Sequence, residues 1–95
     1  MLLDNGELNM NTKIYQLYHD KEHAILKVSP MQRVFYDTNI DQQLAMFQED
    51  YILYYNHCHC FSRSRKALVE LARKMQEEWV QQLEMKLEIY KSIKV

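Results

Sequence analysis

Glycine and proline are almost missing from this chain of 95 residues: Gly6 and Pro30 are the only ones. Glycine is the residue that lets a backbone approach a phosphate closely or turn at positive φ. With none after residue 6, no glycine-rich phosphate loop can be built, and the dinucleotide and P-loop fingerprints are both absent. Long apolar runs are missing as well. None approaches the roughly 18 residues that span a bilayer. No basic-then-apolar leader opens the sequence. Cysteine is scarce, with Cys58 and Cys60 alone. One intervening residue makes them a strained disulfide pair, so both are expected to remain thiols in a cytoplasmic protein. Strong charge of either sign is lacking too, since the net is −1. That excludes a strongly acidic nucleic-acid mimic and a strongly basic nucleic-acid binder.

What is present is ordinary for a folded chain: 47% apolar and 26% charged residues, too apolar for a disordered segment. The length allows a single domain spanning 1–95. Such a domain buries only about two-thirds of the surface its unfolded chain exposes, so a partner or a second copy would add stability. Charge is unevenly placed. Residues 1–61 hold eight acids and four bases, and residues 62–95 hold eight bases and five acids.

Residues 1–9 show no period and read as a flexible arm, with Met10 an alternative translation start. From Lys13 the pattern becomes strand-like. Ile14, Tyr15, Leu17 and Tyr18 precede a polar link, His19 to Glu22, and Ala24, Ile25, Leu26 and Val28 follow. Two such runs predict an antiparallel hairpin, with Arg33–Tyr36 as a third strand. A helix over 13–27 is the alternative, but the density of β-formers favours strands. Asn39 with Gln42 then looks like a capping box. Ile40, Leu44, Phe47, Tyr51 and Tyr54 step by four and three, which predicts a helix over 39–56. Ser62 or Ser64 caps the next helix, over 62–93. Leu68, Ala72, Met75, Trp79, Leu83, Leu87 and Tyr90 give it one continuous apolar face. The predicted fold is α+β: a small antiparallel sheet over 13–36 followed by a helical hairpin.

The long helix carries a second apolar stripe, Met85, Ile89 and Ile93, roughly opposite Leu83 and Leu87. A helix in so small a domain normally buries one face. Two faces point to a partner or another copy, unless the sheet or the N-terminal arm covers the second. Trp79, Met85, Ile89 and Ile93 are therefore the candidate docking residues.

Three other constellations carry chemistry. His57-Cys58-His59-Cys60 offers zinc donors, which His19 or His23 could complete. Zinc ligands more often come as Cys-x-x-Cys pairs, and here the spacing is Cys-x-Cys with no second pair. The plainer reading is a polar interhelical turn with Cys58 half-buried as a small hydrophobe, so no metal is expected. A Cys-His nucleophile in the same segment is weaker still, because adjacent side chains diverge. Arg63, Arg65, Lys66, Arg73 and Lys74 cluster on the first turns of the long helix. With Tyr54 or Tyr55 they could hold nucleic acid through phosphates and base stacking. A solvated helix face explains them as simply, with Glu70 pairing to Arg73 or Lys74. Glu77, Glu78, Glu84 and Glu88 read as a wet face, not as catalytic carboxylates.

The sequence thus predicts a small non-enzymatic interaction module: an adaptor, regulator or inhibitor of a larger protein, docking on that protein or on itself as a homo-oligomer. The alternatives are a nucleic-acid-binding regulator and a zinc-stabilised module. No cofactor, small-molecule substrate or membrane contact is expected.

Overall fold

The computed structural model describes residues 13–95. The arm assigned to residues 1–9, and Met10, lie outside the described residues. The fold is α+β. Strands β1 (Tyr15–Asp20) and β2 (Ile25–Pro30) form the expected hairpin. A 3₁₀ turn (Arg33–Phe35) and helix α1 (Thr38–Ala45) follow. A second hairpin comes next, β3 (Leu53–Asn56) and β4 (His59–Ser62), and then helix α2 (Arg65–Lys91). Among the described residues the sheet has four strands in the order β2-β1-β4-β3, with every neighbouring pair antiparallel.

The last strand in sequence is a central strand. β4 is hydrogen-bonded to β1 on one side and β3 on the other, so Cys60, Phe61 and Ser62 are all buried. Alternate residues face opposite sides of the sheet, and each side has its own core. Ile14 and Phe61 pack on one face against Ile40 and Leu44 of α1. Leu17 and Cys60 pack on the other against Leu68 of α2, with Leu71, Ala72 and Met75 around them. Gln16 is buried among the first set, and its Oε1 accepts the backbone N–H of Gln32 at 2.9 Å. That bond satisfies the side-chain oxygen and ties the start of the 3₁₀ turn to β1.

Three expectations are corrected. The helical hairpin is absent, because the first helix stops at Ala45. Ile40 and Leu44 are buried, but Phe47 is half exposed and stacks on Tyr51 at 4.2 Å. Beyond it, Tyr51-Ile52-Leu53-Tyr54-Tyr55 is dense in β-formers, and the chain from Leu53 to Asn56 pairs as a strand against β4. Arg33–Tyr36 is not a third strand, since Phe35 and Tyr36 bond back to Gln32 and Arg33. The cap of α1 is Asp37, whose Oδ1 accepts the Asn39 N–H at 2.8 Å, not Asn39 with Gln42.

The β1–β2 loop carries one strained residue. Ala24 has φ 57°, the left-handed region, and its N–H bonds to the Lys21 carbonyl. A Cβ in that region costs about 1–2 kcal/mol. Ala24→Gly should therefore stabilise the protein by about 0.5–1 kcal/mol after the added freedom of the unfolded chain is subtracted. Urea unfolding of the two proteins measures the difference, and a destabilised variant would contradict the strain.

Candidate functional site

α2 begins as expected. The Ser64 hydroxyl accepts the Ala67 N–H at 3.1 Å, and the helix runs 27 residues, about 40 Å. Its first half lies across the sheet. Its second half does not. From Gln81 to Val95 every residue is exposed, and the sheet contacts end near Met75 and the half-buried Trp79. The continuous buried face read from the sequence is therefore a correction. Leu83, Leu87 and Tyr90 are 69%, 51% and 58% exposed. The physical reason is geometric: a helix of about 40 Å outruns strands of four to six residues, about 20 Å at most.

Met85, Ile89 and Ile93 are also exposed, at 67%, 62% and 63%. The projecting half of α2 thus presents both apolar stripes. At about 100° per residue they span more than half of the helix circumference. The remaining arc holds Glu77, Gln81, Glu84, Glu88 and Lys91, all in solvent. Trp79 stands where the helix leaves the sheet, with a depression on each side. One is a groove of about 740 Å³ along β2, whose walls include Leu26, Val28, Val69, Val80 and Leu83. The other is a recess of about 530 Å³ beside His19, His57 and Cys58. Lys21, in the β1–β2 loop, donates a hydrogen bond to Gln82 Oε1 and ties the hairpin to the helix at this point. Leu83, Leu87 and Tyr90, which the sequence reading placed on the buried face, are exposed, and so is Val80, which it did not single out. Counting how many helical turns a four-strand sheet can cover would have found them.

The chain matches no family model, no curated protein and no solved structure.

The His-Cys-His-Cys segment is a β-turn and the start of β4, not an interhelical turn. Its side chains part company. Cys60 lies under α2, 3.8 Å from His19 Nε2. His59 faces the other side, against Phe35 at 4.6 Å and Tyr18 at 5.2 Å. Cys58 Sγ is 3.3 Å from His59 Nδ1. His23 is engaged elsewhere, 2.8 Å from Asp20. Among the described residues the set of three ligand types that converges is Asp20, Glu22 and His23, on the exposed hairpin loop. The four residues singled out in the sequence would have to turn through the sheet to surround one ion. Elemental analysis should find no stoichiometric zinc. One zinc per chain, lost together with folding in Cys58→Ser, would show otherwise.

Burial pushes the Cys60 thiol up to about 11. Thiolate is the reactive form, so Cys60 should resist alkylation in the native protein while the partly exposed Cys58 reacts. Two equal rates by mass-spectrometric labelling would contradict the buried placement.

Burial, with His59 and His57 nearby, lowers the His19 pKa below its ordinary 6.5. The unfolded imidazole then takes up protons more readily than the folded one. Stability should fall as pH drops through and below 6.5. The hydrogen bond from His23 holds the Asp20 carboxyl below its usual range, so its contribution is lost further into acid. His19→Gln should flatten only the limb near neutral pH, measured by thermal melts from pH 5 to 8 (about one pH unit or more on each side of an ordinary histidine).

The five basic residues do not form one stripe. Arg63 is half-buried, while Arg65, Lys66, Arg73 and Lys74 are exposed. Lys66 and Arg73 share a side of α2, and Lys74 is turned about 100° from Arg73. Arg73 lines the groove along β2. Tyr55 packs on Phe35 and Phe61, on the sheet face opposite α2.

Proposed function

We propose that this chain is a protein-interaction module without catalytic activity of its own, and that the projecting half of α2 is its docking element. The observation that carries this is the exposure of two apolar stripes on a helix that continues well past its sheet. A helix needs one buried side to be stable in water, and this segment finds none among the described residues. Monomeric proteins rarely leave a contiguous apolar surface of this kind uncovered. The long side chains of Met85, Leu87, Ile89, Tyr90 and Ile93 are suited to a groove or to a neighbouring helix. The nucleic-acid alternative has less support, because the cations are spread around α2 and the net charge is −1.

Photo-crosslinking tests the reading. A benzophenone side chain placed at Leu87 or Ile89 should form a protein adduct in the host cell. The same group at Glu22, on the exposed hairpin loop, should form none. Adducts at Glu22 alone, or adducts to nucleic acid from the same group placed at Lys66, would replace this reading.

A further inference from the structure

We infer that the partner of this surface is a second copy of the chain, joined through an antiparallel pairing of the two α2 helices about a two-fold axis near Val80 and Leu83. This rests on the docking reading above and names the occupant.

Three observations converge. The groove along β2 and the projecting stripe share residues. Val80 and Leu83 close the end of the groove and also begin the exposed line Val80-Leu83-Leu87. A two-fold axis at that junction would carry the projecting half of each copy along the groove of the other. Such a contact is self-complementary and closes at two copies.

The angular placement fits the same arrangement. In the first half of α2, Leu68, Ala72 and Met75 face the sheet, and Val69, Gln76 and Val80 on the groove side are turned by about 100°. In the projecting half, Leu83 and Leu87 continue the groove-side line. Tyr90 and Ile93 lie within about 40° of the sheet-facing line. A helix lying beside the partner's α2 and above the partner's β2 would bury both lines at once. One would meet the helix, and the other would meet Leu26 and Val28. This covers Leu83, Leu87, Tyr90 and Ile93 together, which a simple two-helix seam would leave half exposed.

Charge sets the direction. Residues 65–74 carry four bases and one acid, and residues 75–90 carry four acids and one base. About an axis near Val80 and Leu83, antiparallel pairing brings Arg73 of each copy within about a turn of Glu88 of the other. Parallel pairing lays like on like, and also aligns the helix dipoles unfavourably.

Sedimentation equilibrium on the full chain tests this. The expected species is twice 11.6 kDa, dissociating on dilution in the micromolar range. Leu83→Glu with Leu87→Glu should weaken it at least about 100-fold, with circular dichroism confirming that the sheet and helix persist. Arg73→Glu with Lys74→Glu should weaken it about tenfold, as should Glu84→Lys with Glu88→Lys. All four changes in one chain should restore it. In a parallel dimer position 73 faces 73 and position 88 faces 88, so reversing either pair alone keeps like charge on like and leaves association nearly unchanged, which overturns the antiparallel arrangement. A chain monomeric at every concentration overturns the second-copy inference and leaves docking on a different protein standing. A dimer indifferent to Leu83→Glu and Leu87→Glu overturns both.

Discussion

Phe61→Ala should cost about 3–5 kcal/mol, enough to bring the protein to the edge of unfolding at room temperature. Phe61 is fully buried in the central strand, where it packs on Ile14, Ile40 and Leu44 and meets Phe35 and Tyr55 ring to ring. Nothing nearby can collapse into the space, because the sheet fixes one side and α1 the other. For a chain of this size each kcal/mol moves the melting point by about 4–8 °C, so a drop of about 12 °C or more is expected. Thermal melts followed by circular dichroism measure it. A loss below about 1 kcal/mol would mean that the α1 face of the sheet contributes little to the fold.

Removing residues 82–95 should have the opposite character. The truncated chain should melt within a few degrees of the intact one when both are dilute, because no residue beyond Gln81 is buried. Association should be abolished, since the exposed apolar line is gone. Far-UV circular dichroism should lose the signal of about ten helical residues, the share of α2 beyond Gln81. A truncated chain that unfolds would place part of the stabilising core in the projecting half and would contradict the packing described above.

The two ends of the fold were unequally legible in the sequence. The β1–β2 hairpin could be read because Tyr, Ile, Leu and Val cluster around a polar break. α2 could be read because it has Ser64 as a cap and no glycine or proline to stop it. The second hairpin could not. Leu44, Phe47, Tyr51 and Tyr54 have helical spacing by coincidence, while the pairing of Leu53 with Phe61 and Tyr54 with Cys60 is a tertiary fact. Short apolar runs of this kind fit either period, and the partner strand decides. The long helix misled in another way. Its amphipathic pattern continues after the sheet ends, so periodicity alone cannot separate residues buried against the sheet, such as Leu68, from residues the sheet leaves exposed, such as Leu87.

The central place of β4 also bears on how the chain emerges from the ribosome. β1 can pair with β2 as soon as Pro30 is free, but its other edge stays open until β4 arrives. Leu17 meets Cys60 across about forty positions, a closure that costs on the order of 3 kcal/mol in chain entropy before any contact forms. Until then the hairpin offers Leu17 and a row of unpaired backbone groups to any passing strand. Folding should wait for residue 62 to clear the exit tunnel and then proceed in one cooperative step. Nascent chains halted short of that point are the form of this protein most exposed to aggregation and most in need of a chaperone.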